Sequence, residues 1–460
     1  MQLVYKAFRM NNNKIPVVAI FDVGKTNKKL FLFDSNYQIV FERSARFLET
    51  IDEDGDPCEN LESLRLSIFD SLHEVFRKNE FEIKAINFTS YGASFVFLDE
   101  NGRPLTPLYN YLKEFPATIQ QELHNKYGGE EHFSLTTSSP TLGSLNSGFQ
   151  ILRLKKEHPE IYKYVNFALH LPQYLSFLVS GKFYSDMTSI GCHTALWDFE
   201  NGEYHKWVQD EGITKVLAPI VKGDEVFDGA FPGSPFRVGP GLHDSSSALI
   251  PYLFNFSEPF VLISTGTWCI TFNPFNNSAL TSGELKKDCL FYQSYLGNPV
   301  KASRLFAGYE HELQSKRIAD FFHVTTAKFR NLQLNRKILE KLMKEPVIVD
   351  LKAFSKVELD RYHNYEEAYH SLILHLIKVQ VDATKLVLDV NKISRIFVDG
   401  GFSKNHIYMS LLAKEFPEVE VFGASMAQAT ALGAALVIHE HWNELTVPND
   451  LIALRYFGNK

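Results

Sequence analysis

The sequence predicts an α/β fold built as two related domains that face one cleft. Three observations carry this expectation. The chain has 460 residues, and at roughly 100–200 residues per domain that length favours two large domains. Two segments about half a chain apart share one design, a strand–turn–strand with a small or polar tip. Strands alternate with helices after each of them, which indicates α/β layering.

The first segment is VVAIFDVGKTNKKLFLFD, residues 17–34, in which an apolar strand enters Asp22, turns at Gly24 and returns over residues 30–33. Apolar spacing then predicts helices over 60–79, 116–126 and 145–157. The glycine-rich stretch VGPGLHD precedes a boundary expected near residues 245–256, which divides the chain into domains 1–248 and 249–460. The second hairpin is FVLISTGTWCITF, residues 260–272, with Ser264-Thr265-Gly266-Thr267 at its tip. The longest predicted helix covers 360–389. A buried-type strand then runs from 395 into Gly400-Gly401, followed by a helix over 403–414, a strand over 419–423 and a small-residue helix over 427–439.

Composition narrows the function. Hydrophobic residues make up 45% and charged residues 22% of the chain, ordinary globular usage. A net charge of −7 argues against nonspecific nucleic-acid binding, which depends on clustered Lys and Arg. No apolar run approaches the roughly 20 residues that span a bilayer. The opening MQLVYKAFRMNNNKIP lacks the apolar core of a secretory signal, so a cytoplasmic protein is expected. Cys58, Cys192, Cys269 and Cys289 form no CxxC pair, so neither a disulfide framework nor a zinc cage is expected.

Gly24-Lys25-Thr26 imitates the end of a P-loop, but the earlier glycine is Ala19 and a strand, not a helix, follows. A different phosphate site remains open. Backbone amides with Lys25, Thr26, Asn27, Lys28 and Lys29 could hold phosphate oxygens, and Asp22 beside them could hold hydrated magnesium; a solvated surface turn is the plainer alternative. Thr267 and its neighbours offer hydroxyls at the second tip, where an ordinary β-turn is the alternative. Gly400-Gly401 leaves a bare surface for a flat base, with Ser403 and Asn405 for edge contacts. Asp244, ahead of an apolar run, could take a proton from an acceptor hydroxyl, its ionisation helped by the helix N-terminus, or could simply cap the helix. His243 reads as a positioned donor or a packed side chain. Tyr91-Gly92 and Trp197-Asp198 offer aromatic and polar surfaces of the kind sugars favour, or core packing.

Together and in order, FDVGKTNKK (21–29), TSYGASFVFLDENGRPL (89–105), LPQYLSFLVSGKF (171–183), GLHDSSSAL (241–249), ISTGTW (263–268), VDGGFSKN (398–405) and ATALGAAL (429–436) resemble the FGGY carbohydrate kinases of the actin/hexokinase-like superfamily. SYGASFVFLD, HDSSSA and STGTW are most similar to the rhamnulokinase branch, with L-fuculokinase-type enzymes close. The resemblance implies two actin-like (ribonuclease H-like) domains, ATP and Mg2+ as cofactors, a ketose as substrate, and no nucleic acid or membrane among the partners; it leaves a homodimer open. It implies Asp244 as catalytic base and Asp22 near magnesium, through a water in the usual manner of that ion. It further implies Lys25 to Lys29, Thr267, Gly400, Gly401 and Asn405 around ATP, and Gly92, His243, Asp244 and Ser245 around the sugar. Four positions depart from the family pattern. Tyr109-Asn110-Tyr111-Leu112 lacks the usual acid and base, Gln173 replaces a charged residue, Leu305 replaces a polar sugar contact, and Gln428 replaces a glutamate. The missing sugar-side contacts motivate one rival, a catalytically silent sugar-binding regulator of the same fold; a second rival is an ATPase of the same superfamily acting as a switch or filament former.

Overall fold

Two seven-stranded sheets repeat one core order. In the first, β1 (Ile15–Val23), β2 (Lys28–Asp34) and β3 (Ile39–Ala45) run antiparallel, and β1 pairs in parallel with β4 (Phe81–Ser90). β5 (Arg237–Val238) and β6 (Leu242–His243) then pair in parallel with β4. In the second, β7 (Phe260–Thr265), β8 (Cys269–Asn273) and β9 (Pro299–Leu305) run antiparallel, while β10 (Arg395–Gly400) joins β7 and β11 (Glu420–Ser425) joins β10, both in parallel. This computed structural model describes residues 14–25, 27–45, 49–230, 235–344, 349–389, 393–426 and 428–458. Thr26 and Ala427, both within predicted features, lie outside the described residues.

Both expected hairpins are present. β1 reads as a near-continuous apolar run because both of its faces are covered. Side-chain caps, invisible to apolar spacing, trim the predicted helices. α1 (Leu61–Phe76) starts where Asn60 accepts the Ser63 amide. The helix predicted over 145–157 begins only at Gly148, after a 3-10 turn at Gly143–Leu145.

The interval expected as a domain boundary is itself helical, α2 (Asp244–Asn255), and the two sheets lie on either side of it in sequence. In the second half, α3 (Ala307–Phe321) and α4 (Tyr365–Val387) pack on the sheet core, with Asn364 capping α4. α5 (His406–Glu415) starts at the Asn405 cap, after a 3-10 turn over Gly401–Lys404. The predicted small-residue helix is regular only over α6 (Ala429–Leu436).

α6 lies late in the chain yet packs on the first sheet. Its Ala431, Ala434, Ala435 and Leu436 share one buried cluster with Val18, Ile20 and Phe31 of β1 and β2, and Asn87 of β4 donates to the Ala434 carbonyl at 2.8 Å. It also crosses α2 closely: a Cβ on Gly433 would stand 1.9 Å from the Ser247 carbonyl oxygen. Only glycine permits that approach. No helix among the described residues is long and apolar enough to cross a membrane.

Gly433→Ala should therefore lower the thermal midpoint by the equivalent of about 1–3 kcal/mol, an overpacking cost. Gly283→Ala, where an added Cβ meets nothing within 4 Å, should leave the midpoint near wild type in the same calorimetric scan. Equal midpoints for the two variants would contradict the tight crossing.

Candidate active site

Asp244 is the first residue of α2, and His243 occupies the cap position without a side-chain cap bond. Asp244 thus stands one position inside the cap, yet its carboxylate still serves a first-turn amide. The Asp244 carboxylate accepts the Ser245 amide at 2.6 Å and the Ser245 hydroxyl at 3.3 Å. Its side chain remains 31% exposed, open to an incoming group. Burial raises its pKa to about 6, against the pull of the Ser245 hydrogen bonds. Desolvation therefore outweighs the helix N-terminus that was expected to favour the charged form.

His243 is buried, with Nε2 at 3.4 Å from Asp244 Oδ1 and 3.6 Å from Cys192 Sγ. Its Nδ1 has no hydrogen-bond partner. Burial, aided by the charge of Arg304, depresses its pKa to about 4, so the imidazole is neutral near pH 7. Gly92 follows β4 and abuts this ring: a Cβ there would stand 2.6 Å from His243 Cδ2. Gly92, His243, Asp244 and Ser245 are thus one cluster. The neighbouring Ala93 and His193 have φ of 61° and 40°, left-handed backbone that costs energy for side-chain-bearing residues and gathers at functional sites.

Asp22 lies near the end of β1, within electrostatic reach of Asp244. Burial raises its pKa to about 6; a hydrogen bond from Thr430 opposes that rise and the charge of Asp244 adds to it. Two carboxylates thus share one poorly solvated spot. Their oxygens suit a hard divalent cation such as magnesium, so the residues present fit the ion that the resemblance implies.

The lysines of the first turn are engaged elsewhere. Lys28 Nζ lies 3.0 Å from the buried Glu59, Lys25 Nζ lies 3.7 Å from Glu59 and 3.7 Å from Glu49, and Lys29 pairs with Glu42 at 2.9 Å. The Gly24 amide closes the turn onto the Asn27 carbonyl at 2.9 Å. Strand alternation explains the split, since Lys28 and Lys29 leave opposite faces of β2.

The second tip opens on a cleft of about 930 Å³ lined by Thr265, Gly266, Gly308, Tyr369, Gly401 and Asn405, among others. An added Cβ on Gly401 would meet nothing within 4 Å, so its bare face is open. Gly400, at φ +85°, presses against the Thr265 carbonyl. Of the expected hydroxyls, Thr265 is engaged: it donates to the Asp399 carbonyl and accepts the Phe402 amide at 3.0 Å. Thr267 is exposed at the tip, its carbonyl accepting the Tyr309 amide at 3.1 Å. Asn405 lines the cleft, but its Oδ1 caps α5 and its Nδ2 donates to Tyr369 at 2.9 Å. Trp197-Asp198 offers no sugar surface, because Trp197 is buried and Asp198 accepts the Glu200 and Asn201 amides in a turn.

Four features escaped the sequence reading. Thr188 donates to Asp186 and accepts the His243 amide at 2.9 Å, tying down the start of α2. Thr430 Oγ1 donates to Asp22 Oδ2 at 2.7 Å. Arg304 is buried and paired with Asp288 at 2.6 Å and 3.2 Å, close enough to His243 and His193 to depress both. Alternation along β9 puts Arg304 on this side while Leu305 packs against the second core. Tyr111 lies within electrostatic reach of both Asp244 and Glu59, its ring 5.9 Å from that of Tyr91. Only the alternation was readable in advance. The cluster of Asp52, Asp54 and Asp56 is no rival metal centre, since Lys113 Nζ already sits among them at 2.5 Å, 2.7 Å and 3.5 Å.

Comparison with known proteins follows this geometry. Residues 17–239 match the N-terminal domain of the FGGY family of carbohydrate kinases, and residues 257–446 match the carbohydrate kinase FGGY C-terminal domain. A rhamnulokinase of Halalkalibacterium halodurans is 26% identical over 54% of this chain and 54% of its own length. A rhamnulokinase of Oceanobacillus iheyensis is 21% identical over 78% and 79%, and an L-fuculokinase of Escherichia coli is 21% identical over 55% and 56%. The chain thus spans about half the length of the first and third of these relatives. Among solved structures, a carbohydrate kinase from Novosphingobium aromaticivorans superposes with a TM-score of 0.79 at 21% identity, covering 97% of this chain and 94% of that one. A ligand-bound xylulose kinase from Lactobacillus acidophilus gives 0.75 at 18%, covering 96% and 94%; both likenesses speak to the fold alone. With one family model on each half of the chain and the paired sheets beneath them, the protein belongs to the FGGY family of carbohydrate kinases.

Proposed function

We propose that this protein is an ATP-dependent carbohydrate kinase that phosphorylates a hydroxyl of a ketose such as L-rhamnulose or L-fuculose, or a related pentulose. The observation that carries the reading is Asp244: a part-exposed carboxylate with a pKa near 6, held at a helix start by the amide and hydroxyl of Ser245. The nucleotide binds in the second-half cleft, with its base against Gly400-Gly401 and its phosphates toward Thr267 and the first turn. The turn's backbone is the surface it offers phosphate, because the ammonium groups of Lys25 and Lys28 pair with Glu59. The sugar lies against Gly92, His243 and Ser245. Neutral His243 positions a sugar hydroxyl through a hydrogen bond, since a ring with pKa near 4 is too weak a base to take its proton.

Asp244 accepts the acceptor hydroxyl's proton as that oxygen forms a bond to the γ-phosphorus. The bond from phosphorus to the leaving oxygen breaks, and ADP departs with its electron pair. Magnesium, when bound, neutralises charge on the phosphate oxygens; Asp22 would hold it. A base with a pKa somewhat below neutral is ionised at pH 7 yet still useful for proton transfer.

Four outcomes follow. A panel of ketoses and polyols with coupled ADP detection should show ADP release with at least one ketose; sugar binding without any release would favour the silent regulator. Asp244→Asn should lower kcat at least about 10²-fold while sugar and nucleotide still bind, and near-normal kcat would remove Asp244 as the base. In wild type, kcat/KM should fall on the acid side through about pH 6, where Asp244 becomes protonated, rather than near the usual 4. The stability sign is the opposite. A carboxyl raised on folding stabilises the fold below its unfolded pKa and loses that contribution as pH rises through about 6. Asp244→Asn should therefore melt at or above wild type at pH 8, with that advantage closing at acid pH in a pH series of melting curves.

A further inference from the structure

Both candidate carboxylates sit on elements of the first half, yet a residue from the far end of the chain touches one of them. Thr430, in the first turn of α6, donates its hydroxyl to Asp22 Oδ2 at 2.7 Å. The same residue's carbonyl accepts the Ser247 hydroxyl at 2.8 Å, and Ser247 lies one turn along α2 from Asp244. The glycine crossing at Gly433 holds α6 against α2. Thr430 is therefore fixed through its backbone to the helix that carries Asp244, and through its side chain to the strand end that carries Asp22. A hydroxyl offers one proton, and here the carboxylate takes it. That leaves Asp22 Oδ1 as the oxygen free of Thr430.

We propose that Thr430 is a positioning residue for the metal: its hydroxyl orients the Asp22 carboxylate so that the other oxygen faces a divalent cation beside Asp244. The proposal rests on the reading of Asp22 as the carboxylate nearest the metal. It follows the general pattern in which a ligating carboxylate is itself hydrogen-bonded by an outer partner, whose loss typically costs about 10–100-fold in metal affinity.

The test uses the full-length protein with Mn2+ as the probe, in the presence of ADP, and reads protein-bound Mn2+ from the loss of free-ion EPR signal beyond that of a protein-free Mn2+–ADP control. Thr430→Val removes the hydroxyl at near-constant volume and keeps the backbone tether to Ser247; Thr430→Ser keeps the hydroxyl. Thr430→Val should weaken Mn2+ binding about tenfold, the low end of outer-partner losses. Thr430→Ser should stay within about twofold of wild type, below that range. Asp22→Asn combined with Thr430→Val should bind no more weakly than Asp22→Asn alone, because the threonine acts through the aspartate. A purely structural role would shift the melting midpoint without this non-additivity. If Thr430→Val binds Mn2+ like wild type while Asp22→Asn does not, the inference is wrong and the metal reading of Asp22 stands. If Asp22→Asn is also silent, or wild type binds no Mn2+, that reading and the inference fall together.

Discussion

The site depends on the crossing of α2 and α6. The backbone approach at Gly433 and Ser247 fixes a helix from the second half against the helix that begins with Asp244. α6 also lies on the first sheet, so the crossing joins β1, α2 and α6 into one unit. Asp22 leaves that unit from the strand, Asp244 from the helix start and Thr430 from the late helix. Any looseness at the crossing would separate groups that have to act within one charge's reach of each other.

That geometry has an electrostatic consequence. Asp22 and Asp244 are both part-buried, and both carboxyls are raised to about 6. The charge of Lys29 offsets the rise at Asp22 only in part, while Lys25 and Lys28 pair with Glu59 and Arg304 with Asp288. The fold thus keeps two poorly solvated carboxylates within reach of each other. A cation accompanying a phosphate chain would offset their charge, and carboxylates of raised pKa are commoner at working sites than in packing cores. Neutral His243, packed against Gly92, adds a polar group without further charge.

Much of this was legible in the sequence because it is local. Each hairpin announces itself through a strand, a glycine and a second strand, and the repeat of that design half a chain later gives the paired sheets. Asp244 and Gly92 stood out through their short motifs. The features that escaped depend on contacts between distant segments. Nothing around Thr430 marks it as a partner of Asp22, since 408 positions separate them. The side-chain directions of Lys25 and Lys28 depend on where Glu59 lies, and the engagement of Thr265 depends on Asp399. Helix ends were missed for a related reason: Asn60, Asn364 and Asn405 cap through single side chains, a signal that apolar periodicity does not contain.

The account's central claim is that Asp22 and Asp244 divide one task, the first beside the cation and the second beside the acceptor alcohol. A crystal grown with Mn2+, ADP and a ketose that the enzyme phosphorylates, with data collected at the manganese edge, tests this most directly. The account predicts an anomalous peak between the nucleotide phosphates and Asp22, with a sugar hydroxyl within hydrogen-bonding distance of Asp244. A peak remote from Asp22, or a sugar bound with no hydroxyl near Asp244, would contradict it.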